Sequence, residues 1–93
     1  MIAARNVEAL VTMQPIAVDT ASPDRDGMLV IANGMLIGVL VRLEAPEHEN
    51  LTGSWAVEAI FGGLQGLRPQ PFDTPEEATR WFRHKMRSGL ATV

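Results

Sequence analysis

Few side chains in this sequence are equipped for chemistry, and they are scattered. His48 stands between Glu47 and Glu49 in the acidic, proline-containing stretch EAPEHEN, residues 44–50. An imidazole titrates nearest neutrality, so His48 is the residue to weigh as a general base or metal ligand. Three adjacent residues are poorly placed to converge on one ion, and a catalytic metal centre gathers about three protein ligands. As a base, His48 has no orienting partner in view, so the stretch reads as a solvated loop. Glu58 lies within the strand-like run TGSWAVEAIF, residues 52–61. It is expected to pair with Arg42 on a neighbouring strand, the alternative being a functional carboxylate.

Two other patterns fall short of their chemistry. Asp24-Arg25-Asp26-Gly27 brings two carboxylates close together, but a twelve-residue calcium loop needs an oxygen ligand at its fifth position, Gly at its sixth and Glu at its twelfth. Those positions hold Met28, Leu29 and Met35. Gly62-Gly63-Leu64-Gln65-Gly66 is glycine-rich, but a phosphate cradle leads straight into a helix N-terminus. Here Pro69 and Pro71 intervene, and the stretch reads as a strand terminator with an extended connection. The chain has no cysteine, which removes disulfides, thiolate sites and cysteine nucleophiles. No catalytic residue, metal or cofactor is called for, and the chain is expected not to be an enzyme.

These residues must be carried by a fold, and its organising stretch is MLVIANGMLIGVLVRL, residues 28–43. Asn33-Gly34 between apolar runs is the signature of a two-residue hairpin turn, which requires positive φ at both positions. Counting outward pairs Ala32 with Met35, Ile31 with Leu36, Val30 with Ile37 and Met28 with Val39. Alternation then places Val30, Ile37 and Val39 on one face and Leu29, Ile31, Leu36 and Leu40 on the other. Apart from Gly38 and Arg42 both strands are apolar, so both faces require cover. Leaving Leu29, Ile31, Leu36 and Leu40 in water would forfeit about 6 to 12 kcal/mol, which rivals the whole stability of a small domain, about 5 to 15 kcal/mol.

Around the hairpin, residues 7–13 alternate as a strand that Pro15 ends or bulges, with residues 16–18 continuing extended. Residues 19–27 form a turn-rich loop. On the strand at 52–61 the side bearing Trp55, Val57, Ala59 and Phe61 should meet a helix. That helix starts at Thr74-Pro75-Glu76-Glu77, with Thr74 as cap and Glu77 as the capping-box acid. It is predicted from Pro75 to Ser88, stopped by Gly89, with Ala78, Trp81, Phe82 and Met86 inward. Its basic residues Arg83, His84, Lys85 and Arg87 fall toward the end, as the helix dipole prefers, and Arg80, Arg83, His84 and Arg87 are also the candidate contact for an anion or acidic partner. The expected fold is α+β: an antiparallel meander of three or four strands with one C-terminal helix on one face, residues 1–93 making a single domain.

A net charge of -3 argues against nucleic acid and anionic lipid as partners. The N-terminus lacks the apolar run of a signal peptide or membrane span, so a cytoplasmic location is expected. GSWAVEAIF followed by FDTPEEATRWF resembles the last strand and helix of plant AP2-type DNA-binding domains, which implies a sheet backed by a helix. Those domains present arginines and tryptophans to DNA, whereas the main strands here offer Arg42 and Trp55, so the likeness is architectural. From Asp26-Gly27 through VLVRL, the His48 loop, Trp55 and the junction from Phe72 to Trp81, the chain also resembles small bacterial proteins of unknown function, which implies no activity.

One helix about 10 Å wide covers two or three strands about 4.8 Å apart on one face. The second face of the hairpin must be covered by the N-terminal seventeen or so residues or by another copy. The expectation is a non-catalytic protein-interaction module, homodimeric through sheet faces or edges, with Leu29, Ile31, Leu36 and Leu40 at the interface. The alternative is a nucleic-acid binder using the sheet or the basic end of the helix, which would show a steep salt dependence.

Overall fold

The computed structural model describes residues 10–91, with side chains as far as Met86. Four strands, β1 (Val11–Ala17), β2 (Asp26–Ala32), β3 (Met35–Arg42) and β4 (Trp55–Ile60), form one sheet in the order β1-β2-β3-β4. Every neighbouring pair is antiparallel, and helix α1 (Pro75–Ala91) packs on one face. The fold is therefore α+β, the meander and C-terminal helix that the sequence predicts.

The hairpin turn forms where its residues demand it, with Asn33 at φ 53° and Gly34 at φ 82°. The first two pairs, Ala32 with Met35 and Ile31 with Leu36, follow the count from the turn. Beyond them β3 contains one extra residue, so Val30 faces Gly38, Leu29 faces Val39 and Met28 faces Leu40. A bulge of this kind inverts every later side chain relative to the unbroken count. Leu40 thus moves to the helix side, where it is fully buried with Val30, while Val39 goes to the opposite face. A second shift in β4 leaves Glu58 as the extra residue: Val57 faces Leu40, Ala59 faces Val39 and Ile60 faces Gly38. Ile60, not Ala59 or Phe61, therefore joins the core with Trp55 and Val57.

Phe82 and Ala78 of α1 are fully buried against this face. The Phe82 ring lies on Gly38, where a Cβ would come within 2.9 Å of Cζ, so the absence of a side chain there lets the helix seat. Trp81 meets Phe82 edge-on at 5.0 Å and Phe72 at 5.9 Å, offset geometries that aromatic quadrupoles favour. Residues Gly62–Leu64 form a short 3-10 turn that delivers Leu64 into the core, in place of a plain extended connection.

At the start of α1, Thr74 Oγ1 accepts the N–H of Glu77 at 3.1 Å, and Glu77 Oε1 accepts the N–H of Asp73 at 3.2 Å. The capping residues act as expected, with the carboxylate reaching one residue ahead of the cap. The helix does not stop at Ser88 but runs through Gly89 to Ala91. Arg83, His84 and Lys85 consequently sit mid-helix with no basic residue in the last turn, so the dipole does not account for them.

The first strand runs on past its expected end. β1 runs from Val11 through Pro15 to Ala17, and residues 7–9 lie outside the described part. Asn33 N–H donates to Leu10 C=O at 3.3 Å and Val18 N–H to Arg25 C=O at 2.8 Å. Even-numbered residues of β1 therefore turn their backbone groups toward β2 and odd-numbered ones turn outward. Pro15 falls on the outward side, so its missing N–H costs the ladder nothing, and proline is tolerated on this edge strand.

Candidate functional site

Asp24, which the sequence does not mark out, is the one buried polar residue among those described, at 7% exposure. Its own loop aims it: Thr20 Oγ1 bonds Ser22 Oγ at 2.9 Å and donates to Asp24 C=O at 2.6 Å, while Ser22 Oγ accepts the N–H of Asp24 at 3.1 Å. The carboxylate then reaches across to the segment after β3. Oδ1 accepts the N–H groups of Glu44 at 2.5 Å and Ala45 at 2.7 Å, and Oδ2 accepts His48 Nε2 at 2.7 Å. The Glu44 N–H foremost, with His48 and the Ala45 N–H, holds the Asp24 carboxyl below its ordinary range against the opposing effect of burial.

His48, which lacks a visible partner in the sequence, is thus oriented by a carboxylate. An imidazole so held is half of a general-base arrangement, and the other half would be a hydroxyl on its remaining nitrogen. Among the described residues no such bond forms, and the nearby hydroxyls of Thr20 and Ser22 are engaged with each other and with the Asp24 backbone. Nor do three or more His, Asp or Glu residues gather there as a metal site. The pair fastens two loops. Neither described recess, one lined by Asp19, Ser22 and Arg25 and the other by Pro15, Met28, Arg42 and Trp55, includes Asp24, His48 or Glu58 in its wall.

Glu58 does not pair with Arg42. As the extra residue of β4 it is exposed, and Arg42 Nε instead meets Glu44 Oε2 at 2.9 Å.

The face of the sheet opposite α1 is the larger candidate. By alternation it carries Thr12, Gln14 and Ile16 on β1, Leu29 and Ile31 on β2, Leu36, Val39 and Val41 on β3, and Ala56 and Ala59 on β4. Leu29, Ile31 and Val39 are half-buried and Leu36 is 44% exposed. Phe61, extended beyond β4 with its N–H on Ile37 C=O at 2.9 Å, is 43% exposed at the same end. Of the four residues expected at an interface, Leu29, Ile31 and Leu36 share this face, and Leu40 lies in the core on the other side. At the far end of the face, Val18 rests over Gly27, and Val41, Leu43 and Ala45 are buried outside the main core cluster. The loops joined by Asp24 and His48 cap that end, so the segment around residues 18–25 supplies part of the cover that the sequence leaves unassigned.

On α1, Arg80 and His84 are exposed and Arg83 is half-buried, while the side chain of Arg87 lies outside the described part. Lys85 Nζ lies 5.9 Å from the Trp81 ring centre. No described carboxylate is within ion-pair distance of Arg80 or Arg83. No described helix is long and apolar enough to cross a membrane.

Comparison of the chain with protein-family models, with curated proteins and with solved structures returned no match.

Proposed function

We propose that this chain is a small non-catalytic interaction module that pairs with a second copy of itself through the open sheet face. The observation that carries this is the aliphatic band Leu29, Ile31, Leu36 and Val39, which spans the two central strands with no helix above it among the described residues. An exposed apolar patch with a polar flank is the usual mark of a protein contact. Its size sets the strength. Four strands about 4.8 Å apart and about seven residues long at 3.4 Å each make a face of roughly 450 Å², against about 800 Å² per partner in a standard interface. Pairing through it is accordingly weak and reversible.

The nucleic-acid alternative loses its sheet contact, because Arg42 is engaged by Glu44 and the open face carries no cation. Sedimentation velocity from about 1 to 300 µM tests the proposal. A monomer-dimer equilibrium is expected, shifted at least tenfold toward monomer by Leu36→Lys with far-ultraviolet circular dichroism unchanged. A single monomeric species throughout the range would rule it out.

A further inference from the structure

Resting on that reading, we infer that the two copies stack sheet on sheet about a two-fold axis parallel to the strands, so that β1 of one lies over β4 of the other. Both edges are closed to the competing arrangement, in which an added strand would extend the sheet. On β1 the outward N–H groups belong to the odd-numbered residues, and Pro15 breaks their row in the middle. On β4, Trp55 exchanges two bonds with Phe72, N–H to C=O at 2.7 Å and 2.8 Å, and the extra residue Glu58 interrupts the ladder. A partner strand finds neither edge continuous. The face remains.

Charge points the same way. Each copy carries a net charge of -3, which opposes self-association. Apart from Glu58, the unpaired extra residue of β4, the face positions from Thr12 to Ala59 include no ionisable side chain, so the aliphatic band meets its copy without burying a charge. The flanks are also unequal in a complementary way. Gln14 and Ile16 are the long positions on one side, level through the sheet with the short Ala59 and Ala56 on the other. In a symmetric dimer the same patch serves both copies, so each residue must find its complement on the other side of the axis. An axis parallel to the strands and between β2 and β3 keeps each residue at its own level, so it sets Gln14 over the partner's Ala59 and Ile16 over the partner's Ala56 and stacks the aliphatic band on itself. An axis across the strands would set long on long and short on short, leaving a gap over the alanines.

The absence of cysteine makes single-cysteine mapping clean. Gln14→Cys and Ala59→Cys chains, mixed at high concentration under mild oxidation, are expected to cross-link with each other several-fold more than Gln14→Cys with itself. In the unmodified protein, amide exchange at Val11, Met13 and Ala17 should be the same at concentrations below and above the dimer transition. A dimer by sedimentation in which these edge amides become protected, or in which Gln14→Cys links mainly to itself, would overturn the stacking and leave the module reading intact. A monomer at every concentration would remove both.

Discussion

Asp24 ties together two loops that are distant in sequence, and its worth is testable residue by residue. Asp24→Ala leaves the Glu44 N–H and the buried Ala45 N–H without an acceptor, whereas His48→Ala leaves the carboxylate both of its N–H donors. Asp24→Ala should lower the urea midpoint clearly more than His48→Ala. The pH dependence has a definite sign. Because the folded carboxyl titrates below its usual value of 3.8, its contribution is complete above that value and is lost as pH falls through the lower folded one. Equilibrium unfolding between pH 5 and 2 should therefore show Asp24→Asn losing less stability on acidification than the native chain, and parallel losses would refute the assignment. Nothing local in the sequence separates Asp24 from Asp19 and Asp26, because its partners are backbone groups brought near by the β2-β3 hairpin. The pairing of Arg42 with Glu58 failed for a related reason, since Glu58 became the extra residue of its strand.

Among the elements, the hairpin shows best what a sequence can and cannot disclose. Its turn was legible because Asn33-Gly34 meets a stereochemical demand that few residue pairs satisfy. The register past the second pair was not, because in a run that is apolar on every residue a one-residue slip leaves no mark in the pattern of polar and apolar positions. The only trace was Gly38, since an isolated glycine in a strand marks a bulge or a close approach, and here it lies beside one and permits the other. Gly38→Ala should cost about 1 to 3 kcal/mol by overpacking against Phe82, read as a lower thermal midpoint. Parity with the native chain would mean that the ring has room to shift. The helix start was equally legible from Thr74 and Glu77, while its end was not, because Gly89 continues the helix instead of stopping it. The end of β1 was not legible because alternation persists past Met13 and only strand pairing carries it through Pro15 to Ala17.

For the molecule as a whole, the sequence asked for more cover than one helix gives, but it could not say which aliphatics would be left on the open face. The bulge in β3 decided that by sending Leu40 inward and Val39 outward. The strand order has a kinetic consequence. Because each strand bonds to the one that follows it, the sheet can grow by closing short loops in succession, and no ladder waits for a remote segment to arrive. Pairing of successive strands keeps the contact order in the range of mixed α/β domains, which fold on the order of milliseconds. Stopped-flow refolding of the dilute chain should be single-exponential on that timescale, and a dominant phase lasting seconds would contradict it. A newly made chain would then expose its oily hairpin to neighbours only briefly.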